Sequence, residues 1–164
     1  MIIMIFIAIG MSCLEVFIPD IIYMLFAYPA ALLASLFFGS KPVLTNGVIV
    51  IPMLNYSIEV IPACSAYGFF CLLYAMIVSY VIRKFKPRQA CMFSLAAVPL
   101  AYLITVMTNG CRIICAYHVH ELGKIVLPAN FQSALHQGVG ILIFLSVMMG
   151  VYLLLEKDFL YERR

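Results

Sequence analysis

Apolar runs, each about as long as a bilayer is thick and separated by short polar connections, restrict this chain more than any other feature. A helix crossing the hydrocarbon core needs roughly 17–25 residues. Four stretches meet or approach that length: Ile21 to Phe38, Ser65 to Ile82, Ala90 to Thr108 and Phe131 to Leu155. A fifth, Met1 to Ile18, is apolar with Glu15 near its end. It lacks a basic leading region and a small-residue cleavage site, and the next run follows directly after Pro19-Asp20, so it reads as a retained helix. At 66% hydrophobic and 10% charged, the chain has too little polar surface to cover a water-soluble globule. Backbone groups in lipid must be satisfied within the segment. The expected fold is therefore an all-α polytopic membrane protein, a single unit over 1–164 built as a bundle of about five transmembrane helices. No internal repeat, low-complexity tract or soluble domain interrupts it.

The basic residues orient the bundle. Arg83, Lys84, Lys86 and Arg88 fall between two spans, and Lys157, Arg163 and Arg164 lie near the chain end. Short loops rich in Lys and Arg stay cytoplasmic. Both segments then face the cytoplasm, a pattern that suits a bacterial cytoplasmic membrane, and the connections over 39–64 and 109–130 lie outside. In the first, Asn46-Gly47 sits between β-branched runs and predicts a small β-hairpin over Val43 to Pro52. In the second, Ile113, Ile114, Ala116 and Tyr117 give Asn109 to Gly123 an apolar side, as in an outward helical extension or an interfacial helix. Pro128 breaks the chain before the last span.

Three chemically capable residues share that outer boundary. Cys64, in Pro62-Ala63-Cys64-Ser65, stands where loop becomes helix, and the positive end of a helix favours a negatively charged nucleophile. Arg112 sits at the edge of an apolar segment, where a cation is costly unless it snorkels, is paired or serves a site. Asn109, three residues earlier on the same helical face, adds donors that with Arg112 suit a developing oxyanion. His136 lies in the first turns of the last span, ahead of Gly138 and Gly140, which permit close helix approach; its imidazole exchanges protons near neutral pH. Each has a plainer reading: a packed thiol, a snorkelling arginine, a structural histidine. Their coincidence at one depth favours chemistry. Glu59 is read either as a carboxylate orienting His136 or Arg112 or as a solvated loop residue. A disulfide from Cys64 to Cys111 or Cys115 is a competing reading, because it would silence the nucleophile. His118 and His120 match no zinc signature, and no cofactor, metal or nucleic acid is expected.

The order Pro-Ala-Cys-Ser, Asn-Gly-Cys-Arg-Ile and His-Gln-Gly-Val-Gly resembles the exosortase/archaeosortase family of membrane cysteine transpeptidases, over residues from about 60 to 142. The resemblance implies a catalytic trio of Cys64, Arg112 and His136, supported by Asn109, Ser65 and Glu59. It also implies a partner: the C-terminal sorting signal of an exported protein, made of a short motif, a transmembrane helix and a basic tail. An acyl-thioester would pass to an acceptor nucleophile or to water. Two departures stand out. The family commonly has Gly after Cys-Ser where this chain has Ala66, and the chain is as short as the compact exosortase K type. The alternative from another class is a small transporter subunit or scaffold with a polar outer cavity, although no inverted repeat is visible. A membrane metalloprotease lacks its His-Glu-x-x-His run here.

Overall fold

The computed structural model describes residue 10 and residues 15–53, 56–126 and 129–161. Four helices run through it: α1 Pro19–Phe37, α2 Tyr67–Lys84, α3 Pro87–Val126 and α4 Ala129–Tyr161. Each is long and apolar enough to cross a membrane, so the described residues form a helical bundle of the multi-pass type. The expected first helix, Met1 to Ile18, lies almost wholly outside the described residues, as does the break at Pro128. Pro19 and Asp20 in the first turn of α1 suit a helix start, since proline lacks an N–H that would be unpaired there and the carboxylate meets the dipole.

Small residues set the central crossing. Ala27, Ala30, Ala31 and Ala34 of α1 have no exposed surface, and Gly110 of α3 comes against them. A β carbon at Gly110 would stand 3.2 Å from Leu33 Cβ and 3.4 Å from the Ala30 carbonyl oxygen, the close approach that small residues permit between membrane helices. Past this contact α3 continues, unbroken over its 40 residues, about 60 Å at 1.5 Å per residue; of the two forms expected for Asn109 to Gly123 it is the helical extension and not a separate interfacial helix. Gly110 is a packing glycine here, and no proline or loop residue interrupts the helix beyond it.

Proline inside α1 produces a second inter-helix tie. Pro29 has no N–H to give the Leu25 carbonyl. Tyr102 of α3 supplies the missing donor, its hydroxyl lying 2.9 Å from Leu25 O. Around it, Phe26 packs against Tyr67, Phe70 and Tyr102 at ring-centroid distances of 5.1–5.3 Å, joining α1, α2 and α3. Phe69 stacks on Phe144 at 4.5 Å and joins α2 to α4.

The connection after α1 folds as an antiparallel sheet in the order β1 Val43–Thr45, β2 Val48–Pro52, β3 Ser57–Val60. Asn46 and Gly47 both take positive φ, 51° and 79°, as the two-residue hairpin turn requires. The expected hairpin is thus present and gains a third strand. Ile49, Ile51 and Val60 turn inward onto α1. Where the β2–β3 ladder ends at the Ile49–Val60 pair, the Tyr23 hydroxyl of α1 takes its place: Ile49 N–H donates to it at 2.9 Å and it donates to Val60 O. That bridge fixes the sheet to α1 four residues ahead of Cys64.

Candidate active site

Beyond Val60 the chain enters a 3-10 turn over Pro62–Cys64, closed by Cys64 N–H to Ile61 O at 2.8 Å and Ser65 N–H to Pro62 O at 3.0 Å. Ala66 follows in the left-handed region, with φ 59° and ψ 17°, and α2 begins at Tyr67. Cys64 therefore stands where loop becomes helix, in a 3-10 turn just ahead of α2 and not within its first turn. Ser65 is buried, and its hydroxyl accepts the Tyr67 N–H at 3.4 Å, which holds the corner shut. The residue in left-handed backbone is Ala66, which carries a β carbon. An L-residue there costs roughly 1–2 kcal/mol.

Asn109 and Arg112 reach this corner from α3. The Asn109 side chain is completely buried. Its Nδ2 donates to the Cys64 carbonyl at 2.7 Å, and its Oδ1 accepts from Arg112 Nη1 at 3.4 Å. One amide thus clamps the thiol's backbone with one end and the guanidinium with the other. Asn109 is held inside the fold by its bonds to the Cys64 carbonyl and the Arg112 guanidinium, and the remaining Arg112 N–H groups are not engaged by it. The clamp brings Arg112 Nη2 to 3.8 Å from Cys64 Sγ across 48 residues of sequence.

Helix α4 completes the cradle. The Arg112 guanidinium lies over the Phe144 ring at 5.4 Å, a cation–π contact backed by the Phe69 stack. Gly140, one turn before Phe144, is buried directly beneath the arginine: a β carbon there would sit 2.7 Å from Nε. Among the described residues no carboxylate pairs with Arg112, whose contacts are an amide oxygen, a thiol and an aromatic face.

His136 occupies α4 one turn before Gly140, in the row that passes Arg112; its side chain lies outside the described residues. Glu59 is exposed on β3 opposite Val50. Cys64, Cys111 and Cys115 are free thiols, the last two exposed on α3, so no disulfide closes on Cys64 here. His118 is packed among the rings of Phe37, Phe38 and Tyr117.

Two contributors escaped the sequence reading, Tyr23 and Phe144. Phe144 had a legible signal, since it continues the row of His136 and Gly140 at helical spacing. The close approach expected at Gly140 is present, but what approaches is a guanidinium. No family model, curated protein or solved structure matches this chain.

Proposed function

We propose that this chain is a membrane-embedded cysteine peptidase or transpeptidase of the exosortase/archaeosortase type, with Cys64 as nucleophile, Arg112 as oxyanion stabiliser and His136 as acid and base. The observation that carries the reading is the thiol 3.8 Å from an arginine with no carboxylate partner among the described residues, the two joined by one buried amide. Left-handed backbone immediately after Cys64-Ser65 also supports it, because that is the conformation the family's glycine would serve.

In this mechanism the Cys64 thiol gives its proton to His136, and Sγ bonds to the scissile carbonyl carbon. The carbonyl π electrons move to oxygen, where N–H groups of Arg112 not engaged by Asn109 meet the new charge. When the tetrahedral centre collapses, the C–N bond breaks and the departing amine takes the proton from His136. An acyl-thioester remains on Cys64. An acceptor amine, or water, then passes a proton to His136 and attacks the thioester carbonyl; the C–S bond breaks and the proton returns to sulfur.

The substrate of this reading is a C-terminal sorting signal with a membrane helix and a basic tail. Arg83 and Lys84 close α2 at the end opposite Cys64. That separation suits an active site at the extracytoplasmic face of a cytoplasmic membrane, by the tendency of basic ends to stay inside. The test is co-expression with an exported reporter that ends in such a signal, followed by its release from the membrane helix. Parent protein processes the reporter and Cys64→Ser does not. Processing that survives Cys64→Ser moves the assignment to the transporter subunit or scaffold.

A further inference from the structure

The end of the bundle opposite Cys64 holds a second chemically furnished cavity. It measures about 540 Å³ and opens between the last turns of α2 and the later part of α4. These helices are drawn together at the other end by the Phe69–Phe144 stack. Arg83, Lys84 and Glu156 bring charge to it, Tyr80 and Tyr152 bring phenols, and Met76 and Leu155 supply apolar wall. From Cys64 to Arg83 the chain runs most of the length of α2, about 27 Å for 18 helical residues, so this cavity is no part of the thiol site.

Its polar groups are held, not loose. Arg83 Nε donates to the Ser79 carbonyl at 3.2 Å, and Lys84 Nζ donates to Tyr80 Oη at 3.1 Å. Ser79 also lines the cavity, and its hydroxyl is buried without a hydrogen-bond partner among the described residues. Buried polar groups are normally satisfied. An acceptor entering the cavity would satisfy this one after a χ1 rotation. Two cations and an orphan hydroxyl describe a phosphate site.

Glu156 refines the assignment. A carboxylate on the rim disfavours a purely anionic ligand and favours one that carries a cation beside its phosphate. Ile82, Leu153 and Leu154, next in sequence to lining residues, are exposed, so apolar surface adjoins the polar lining in these last helical turns. Basic pockets between membrane helices bind the phosphate-bearing headgroups of lipids such as cardiolipin and phosphoinositides. From this arrangement we infer that the cavity binds the zwitterionic headgroup of an aminophospholipid. Arg83 and Lys84 hold its phosphodiester, Glu156 its primary ammonium, and Met76 and Leu155 the start of an acyl chain. The inference is independent of the chemistry at Cys64.

The test is native mass spectrometry of the purified full chain in detergent, with phosphatidylethanolamine, phosphatidylcholine, phosphatidylglycerol or glycerol phosphate added in turn. Parent protein should retain phosphatidylethanolamine over the other two lipids by about tenfold, the discrimination of one charge-assisted contact, and should not retain glycerol phosphate. Arg83→Gln should lower phospholipid retention about tenfold, while Arg83→Lys, which keeps a point charge for the phosphate, should lower it less. Glu156→Gln, a change at an exposed position, should reverse the preference toward phosphatidylglycerol. Equal retention of all three lipids, or retention unmoved by both Arg83→Gln and Glu156→Gln, overturns the site. Retention of glycerol phosphate as strong as that of lipid overturns the lipid assignment.

Discussion

Gly140 lies so close beneath Arg112 that a β carbon would meet Nε at 2.7 Å, Cδ at 3.3 Å and Cζ at 3.5 Å. The clash falls on a side chain that can move, not on backbone, so relief comes from displacing the guanidinium. Gly140→Ala should therefore leave thermal stability nearly unchanged, because alanine also favours the helix by roughly 1 kcal/mol over glycine. Activity is the sensitive quantity, since a misplacement of about 1 Å can cost on the order of 100-fold. Reporter processing measured beside a melting curve separates the two effects. Loss of fold in Gly140→Ala would show that the glycine serves helix packing and not the placement of Arg112.

Ala66 offers the opposite kind of substitution. Its φ of 59° lies where an L-residue is strained, and glycine adopts that backbone freely although it loses more entropy on folding. The net expectation for Ala66→Gly is a gain of up to about 1 kcal/mol. Ala66→Val should lose more than that, because β-branching aggravates the same crowding. Thermal unfolding of both variants in detergent checks the pair, and a stabilising valine would show that the corner is not strained.

What the sequence revealed, and what it concealed, follows the range of each interaction. The four long apolar helices among the described residues and the Asn46-Gly47 turn were legible because hydrophobic length and turn chemistry are local. Strand β3 was not, since Ser57–Val60 is four residues long and becomes a strand only by pairing with β2. For the stretch past Thr108 the local apolar pattern left a helical extension and an interfacial helix both open; the packing of Gly110 against Leu33 and Ala30 of α1 is a long-range contact that no local pattern discloses. At the site, shared depth in the membrane was enough to group Cys64 with Arg112. The contacts inside the group were not readable: that Asn109 is fully buried and bonds the Cys64 carbonyl depends on how α3 packs against the turn before α2.

Pro29 and Tyr102 form a pair whose coupling can be measured. With proline at 29, Tyr102→Phe strips the Leu25 carbonyl of its donor. Inter-helix hydrogen bonds in membrane proteins average about 0.6 kcal/mol and reach about 1.7, and the upper part of that range fits a carbonyl with no helical donor. In a Pro29→Ala background the alanine N–H restores the helical bond, so Tyr102→Phe should then cost markedly less. A double-mutant cycle with a coupling energy near zero would mean that the tyrosine acts by ring packing alone.

Tyr56 ties the cap sheet to the outer half of α3 through its hydroxyl, which donates to Tyr117 Oη while the two rings stack at 5.7 Å. That hydrogen bond, followed by partial desolvation and the nearby Tyr117 and Glu121, pushes the Tyr56 phenol up from 10.0 to about 12. The sign follows from the protonated form being the one held in the fold. The contribution is fully present below pH 10 and is lost as pH rises through about 12. In Tyr117→Phe the ring remains but the hydrogen-bond acceptor is gone, so the Tyr56 transition should fall back toward 10, and the cap should loosen at correspondingly lower pH. Tyrosine-selective ¹³C NMR follows the phenol, and proteolysis within the 39–64 connection follows the cap. A Tyr56 transition that stays near 12 in Tyr117→Phe would assign the shift to desolvation, and the clamp between cap and α3 would then be the ring stack.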